Sequence, residues 1–446
     1  MSSRAETVDW PRPAVGWYAV TVLTIAYVLS FIDRSILTLL VAPIRADLGI
    51  SDTQLSLLHG LAFAIFYTTL GIPVALLADR LNRRNIIMIG ITLWSVATAV
   101  CGLARNFWQL FAARIAVGVG EATLSPAAYS MIADLFPPSR LGRALAVYTL
   151  GAFAGVGLAY VIGGAVIGAV SGAPQLTLPL VGEIRSWQLV FFVVGLPGAL
   201  VALWMLTLPE PSRRHAMPAV PDRSWIAAAL RECLAHMRAQ WQSYAAHLAG
   251  FALLGLVFNA AIAWMPSYLI RVFLLAPAEA GFTVGMVLLV FGTLGVLTGG
   301  WLTDYLGALG HADAAMRVGL IAAVCTLPLA ASSTVVPHMI LGVALFAGLM
   351  FFTSMPFGAA AAAIQLITPS RMRATASSIY LCVLNLVGLG LGPTLVALFT
   401  DFVFVDDAAV GRSLAVASIL ATVPAMLIFW WGLPHFRRAA AAPRLA

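Results

Sequence analysis

Runs of apolar residues dominate this chain. Short polar breaks divide it into twelve stretches, roughly 17–41, 55–78, 86–104, 107–133, 142–169, 187–207, 244–271, 278–302, 315–334, 337–366, 372–400 and 411–433. Each approaches or exceeds the roughly 20 residues a helix needs to cross a hydrocarbon core. The pattern predicts an all-α integral membrane protein with twelve transmembrane helices. Several stretches are rich in Gly and Ala, such as GAFAGVGLAYVIGGAVIG at 151–168, and small residues of this kind let helices approach closely. The polar segment ahead of Trp17 carries no small-residue cleavage site, so no removable signal peptide is expected.

The longest break in the apolar pattern is 208–242, near the middle of the chain. It opens with Pro209, Pro211, Arg213 and Arg214, and then Trp225, Ile226, Leu230, Leu234, Met237 and Trp241 recur at helical spacing with arginines between them. This predicts an amphipathic helix on the membrane face, a structural brace in its simplest reading, within a linker that separates residues 1–207 from 243–446. The two halves echo each other. Asp79 after the second stretch is answered by Asp304 after the eighth, and Pro138–Ser139–Arg140 by Pro369–Ser370–Arg371, both at an offset of half the chain. Two pseudo-symmetric six-helix bundles around a central path are a transporter architecture, with the substrate site near the midplane.

Composition narrows the class. The chain is 61% hydrophobic and only 10% charged, with a mean hydropathy of +0.96, against about 25% charged residues in soluble proteins. A soluble enzyme, a nucleic-acid binder and a secreted disulfide scaffold are excluded. The net charge of +7 comes from 25 basic residues, all of them Arg and clustered in a few loops. With a cytoplasmic N-terminus, 18 of these arginines fall inside and five outside (Arg45, Arg105, Arg185, Arg271 and Arg412), while Arg34 and Arg114 stay in the membrane. Positive charge concentrates on the cytoplasmic side, so both termini are expected there. The four cysteines lie far apart with no CxxC or Cys/His spacing, which indicates neither a metal site nor a disulfide, and no cofactor is expected. Absent lysine and abundant Ala and Arg point to a bacterial inner membrane.

Four ionisable residues lie well inside the stretches: Asp33, Arg34, Arg114 and Glu121. Each such charge costs on the order of 2.5–3.5 kcal/mol on insertion scales and is a functional candidate by default. Arg114 and Glu121 are seven apart, so they share a helix face about 10 Å apart along the axis. A proton on Asp33 or Glu121 would free a guanidinium for an anionic group, and Arg suits that role because it stays charged and binds oxyanions bidentately. The structural alternative is a permanent salt-bridge network between two helices. The second half offers apolar and aromatic candidates instead, with Phe258, Asn259 and Trp264 in the seventh stretch and Met350, Phe351, Phe352 and Met355 in the tenth. Packing residues of the core would read the same way. As substrate contacts, Phe258, Asn259 and Phe352 would complete a cavity charged on one wall and apolar on the other, suited to an amphiphilic anion. His59, His247 and His338 sit near the ends of their stretches and read as interfacial residues.

The segment GIPVALLADRLNRR at 71–84 resembles the G-x-x-x-D-R-x-G-R-R loop signature of the major facilitator superfamily. Asp79, Arg80, Arg83 and Arg84 match it, while Ala75 and Asn82 stand where the pattern has glycine. Arg114, Gly118, Gly120, Glu121 and Ala122 resemble the fourth-helix R-x-x-x-G-x-G-E-A pattern, and SWQLVFFVVGLPG at 186–198 the entry to the sixth, with Gln188 where Arg is common. Asp33–Arg34 together with Glu121 looks most like the Spinster-like branch of lysolipid and sphingolipid-phosphate transporters. The resemblance implies that the first and fourth helices are neighbours, which would let Arg34 meet Glu121, and that Asp79, Arg80, Arg83 and Arg84 form a cytoplasmic gate. A plain topogenic charge cluster is the other reading of those four. A monomeric, proton-coupled secondary transporter with alternating access is expected, carrying a lysolipid-like anion or, alternatively, a small organic anion or a drug. No nucleotide-binding loop and no HExxH or GxSxG motif at a membrane boundary is present, which argues against a self-powered pump and an enzyme.

Overall fold

The computed structural model describes residues 10–78, 81–171, 176–178, 182–212, 224–369 and 372–441. The first span is Pro13–Leu39. The second is built of three pieces in series, Asp52–Ser56, a π-helical segment Leu57–Leu61, and Ala62–Ala78. The third is Arg83–Cys101, the fourth runs Phe107–Glu121 and then Leu124–Leu135, the fifth is Pro138–Ser171 and the sixth Ser186–Met205. After the linker helix Ser224–Ala239 come the seventh span Trp241–Phe273, the eighth 277–308, the ninth Ala314–Ser332, the tenth 339–367, the eleventh 373–404 and the twelfth Val410–Ala441. Among the described residues, ten helices are long and apolar enough to cross a membrane. The second and fourth spans complete the twelve as interrupted helices, the fourth breaking at Ala122–Thr123 where the sequence predicted one run.

Local chemistry sets the helix ends. Gly49, at φ 63°, closes the short helix Val41–Leu48, a left-handed conformation that favours glycine. Just beyond it, Ser51 and Gln54 form a reciprocal capping box that starts the second span. Asn82 and Asn106 cap the third and fourth spans by accepting the backbone N–H of Asn85 and Gln109. Pro13 and Pro277 sit in the first turn of their helices, where a missing N–H costs nothing.

Packing repeats between the halves. The first span lies on the fifth and the third on the sixth, and correspondingly the seventh lies on the eleventh and the ninth on the twelfth. The seventh span is the central one, with 78% of its most apolar window buried, against 33–50% for the other candidate spans. Outward faces carry large apolar side chains such as Leu200, Leu203, Leu427 and Trp430, as lipid contact requires. The halves meet along two seams, second span against eleventh and fifth against eighth. Glycine makes both possible. A Cβ on Gly285 would stand 2.6 Å from the Gly157 carbonyl oxygen, and one on Gly60 would stand 2.5 Å from that of Leu389. The π-helical segment of the second span has its counterpart in the eighth, Leu288–Gly292, and the offset from Leu57 to Leu288 matches that from Arg140 to Arg371.

Candidate functional site

Three of the four membrane charges sit deep in the first half. Asp33, Arg114 and Glu121 are at most 3% exposed. Arg34 donates from Nε to Glu121 Oε2 across the first and fourth spans, so the neighbour relation expected between these helices is present. Its guanidinium also lies over three rings, at 4.4 Å from the Phe63 centroid, 5.0 Å from Tyr67 and 5.2 Å from Phe31. Arg114 donates from Nη1 to the Asp33 carbonyl oxygen at 3.1 Å, which puts these two residues at the same depth. Among the described residues its Nε and Nη2 have no hydrogen-bond partner, and neither does Glu121 Oε1. Nε and Nη2 form the side edge of the guanidinium, the fork that grips a carboxylate or phosphate through two parallel hydrogen bonds.

Tyrosines flank this cluster toward the end of the bundle that carries the termini. Tyr27 stacks on Tyr148 at 4.9 Å, and Tyr129 meets Tyr148 edge-on at 5.3 Å. The sequence pattern gave no signal for this aromatic group, because its members come from three spans.

The remaining candidates are placed elsewhere. Phe258 packs edge-on against Phe357 at 5.1 Å, Phe352 against Phe351 at the same distance, and the Asn259 amide donates to the Gly255 carbonyl of its own helix. All three engage their own half. Asp79 and Arg80 lie outside the described residues. Arg83 is buried and tied to the first half, with Nε on Glu210 Oε1 at 2.9 Å and Nη2 on the Pro211 carbonyl at 2.8 Å, while Nη1 reaches Asp134 and Ser130. Arg84 reaches the Leu208 carbonyl at 3.2 Å. Together they fasten the exit of the sixth span to the start of the third. His59 corrects an expectation. It lies within the π-helical segment of the second span, among helices of both halves, and its Nδ1 is buried without a partner. That is no interfacial position.

The end opposite the termini holds a network the sequence did not suggest. Arg271 places both Nη atoms on Asp52, at 2.6 and 2.7 Å. Arg45 pairs with Asp407 at 2.7 Å and with Asp52 at 3.2 Å. Asp401 accepts from the backbone N–H and hydroxyl of Thr53 at 2.7 and 2.6 Å. Arg45 and Asp52 belong to the first half, Arg271, Asp401 and Asp407 to the second, so these bonds clamp the halves at that end. The three carboxylates bring one oxygen each within 4.8 Å of one another. Arg271 and Arg45 balance two of the three charges at Asp52 and Asp407, while Asp401 is held by Thr53, which makes the group chiefly an ion-pair network. At the terminus-bearing end, Arg83 pairs with Asp134 of the first half and with Glu210 at the start of the linker, and Asp313 pairs with Arg317 and Arg437 within the second half.

Two six-span bundles joined by glycine seams, clamped at one end around a buried charge cluster, define a helical membrane transporter. The family model described as Major Facilitator Superfamily matches residues 23–393, and the chain belongs to that superfamily. Among curated proteins it is similar to an MFS-type efflux pump of Mycolicibacterium smegmatis, 29% identical over 96% of this chain and 95% of that one. Protein spinster of Drosophila melanogaster is 26% identical over 65% of this chain and 46% of that protein. A probable L-galactonate transporter of Escherichia coli is 28% identical over 65% and 61%. Among solved structures, a bacterial homolog of the human lysosomal transporter Spinster, inward-facing and unoccupied, superposes with a TM-score of 0.79 at 26% identity, covering 96% of this chain and 98% of that one.

Proposed function

We propose that this protein is a proton-coupled secondary transporter of an anionic, amphiphilic substrate of lysolipid or sphingolipid-phosphate type, working by alternating access as a monomer in a bacterial inner membrane. The observation that carries the reading is the buried Arg114 fork, without a hydrogen-bond partner among the described residues, two helical turns from a Glu121 carboxylate that has one free oxygen and Arg34 on the other. A carboxylate or phosphate set against Arg114 Nε and Nη2 supplies the missing acceptors. A proton on Glu121 removes the charge that holds Arg34 and releases that guanidinium to the same anion. Asp33, at the depth of Arg114, is the second proton-binding candidate. Proton and anion then enter together, and the central charge changes little as the halves rock.

The arginine distribution supports cytoplasmic termini. The clamped end then faces outward, and the conformation is the inward-facing one named for the superposed Spinster homolog. Phe258, Asn259 and Phe352 would line the apolar wall once the second half closes on the substrate. Asp79, Arg80, Arg83 and Arg84 would act at the cytoplasmic gate in the opposite conformation.

A small organic anion in the same fork is the second reading, favoured by the likeness to a probable L-galactonate transporter. Competition separates the two: lysophosphatidylglycerol displaces a bound labelled lysolipid under the first, and galactonate leaves it in place. The reverse order of potency overturns the lipid reading. Proton-driven uptake that persists unchanged in Glu121→Gln removes Glu121 from coupling.

A further inference from the structure

His59 is a polar residue of the second span that the reading above does not use. It sits in a π-helical segment, a local widening of the helix that recurs at functional sites. The widening lies where the second span meets the π-helical Leu384–Leu391 of the eleventh across the seam. Its neighbour Gly60 touches the Leu389 carbonyl there so closely that no side chain fits. The same π-helical segment also packs against the first and fourth spans, the helices that carry Asp33, Arg34, Arg114 and Glu121. The second-span helix above it contributes Asp52, already held by Arg271 and Arg45. The facing eleventh-span segments, Leu384–Leu391 and Gly392–Leu398, contribute no charged residue. A buried imidazole nitrogen without a partner costs free energy in an apolar interior, and His59 Nδ1, the Arg114 fork and Glu121 Oε1 all lack a hydrogen-bond partner among the described residues.

We propose that His59 is a third substrate-binding side chain, whose Nδ1–H donates to the same oxyanion that Arg34 and Arg114 hold. This rests on the reading of the cluster as an anion site. The shared chemistry is a carboxylate or phosphate, carried by a lipid or by a small acid. Because the ring stands on the seam, its contact with the anion links occupancy to the fit of the second span on the eleventh.

Equilibrium binding to the purified full chain tests this, with tritiated lysophosphatidylglycerol and tritiated galactonate as separate probes. The amide nitrogen of Asn can occupy the place of Nδ1, that of Gln the place of Nε2, and Phe keeps the ring without nitrogen. For whichever probe binds the unchanged chain, His59→Ala and His59→Phe are expected to weaken binding about tenfold or more, the size of a lost hydrogen bond to a charged group. His59→Asn stays within about threefold, and His59→Gln falls with Phe. Wild-type affinity in both Ala and Phe, alongside lost binding in Arg114→Gln, overturns the role of His59 and leaves the anion site standing. Equal losses in Asn, Gln, Ala and Phe mark a packing role and also overturn it. Unchanged binding in Arg114→Gln, or no binding of either probe by the unchanged chain, overturns the anion site and this proposal with it.

Discussion

Asp52 is the hinge pin of the clamp at the end opposite the termini. It is fully buried and receives the Arg271 fork and one bond from Arg45. Asp52→Asn keeps the shape and removes the charge. Breaking one side of a buried ion pair costs about 3–5 kcal/mol. The lower end applies here, because Arg45 keeps Asp407 and Arg271 keeps the Asp407 carbonyl at 3.4 Å. The Asp401–Thr53 bonds also remain. A loss of about 3 kcal/mol in the clamped state alone moves the clamped-to-open ratio about a hundredfold. Spin labels at Ala46→Cys and Val403→Cys, both exposed and on opposite halves, read the separation by pulsed electron resonance in a background without the four native cysteines. The substituted chain is expected to show a longer-distance population that the parent lacks or holds weakly. Identical distance distributions in the parent, Asp52→Asn and Arg271→Gln would refute the view that this network holds the end shut.

The seams and the terminus-bearing end give further expectations. Gly60→Ala forces a methyl to within 2.5 Å of the Leu389 carbonyl, so the second and eleventh spans must separate. The same spin-label pair is expected to show a less populated clamped state, and an unchanged distribution would mean the seam is softer than its geometry. Asp313 is a buried hub for Arg317 and Arg437, and Asp313→Asn is expected to cost about 1–3 kcal/mol in thermal unfolding of the purified protein. Burial pushes the Asp313 carboxyl up, yet the hydrogen bonds from Arg437 and Arg317 outweigh it and hold the group below its ordinary range. A lowered pKa gives stability that is present above the ordinary value and lost as pH falls through the lowered one. The difference between parent and Asp313→Asn should therefore be constant from pH 7 to pH 5 and shrink only in stronger acid.

Local pattern carried the architecture, and tertiary geometry carried much of the site. Apolar run length alone located the twelve spans, since a bilayer imposes that length on every crossing helix. The break in the fourth span at Ala122–Thr123 left no mark, because an interrupted helix and a continuous one share the same hydropathy. Arg34 and Glu121 stood out individually because charge inside a membrane is rare, but that they meet came from the family resemblance, which implied that the first and fourth helices are neighbours. Arg45 and Asp407 did not stand out, being 362 residues apart in polar loops where charges are ordinary. His59 was misread for a related reason: its place in the run set its depth but not the π-helical turn that packs against the first, fourth and eleventh spans. The tyrosines around Arg34 escaped notice because aromatic residues in a span are common, and only packing shows which ones share a wall.

The most direct test of the central claim is uptake of a fluorescent lysolipid into proteoliposomes, with and without an imposed pH gradient, by the parent chain and Asp33→Asn. The account predicts movement that requires the gradient in the parent and loses that requirement, or fails altogether, in the variant. Gradient-driven uptake at parental rate in Asp33→Asn and in Glu121→Gln alike would contradict a coupling site in this cluster. Accumulation of galactonate with no movement of lipid would keep the transporter and overturn its amphiphilic substrate.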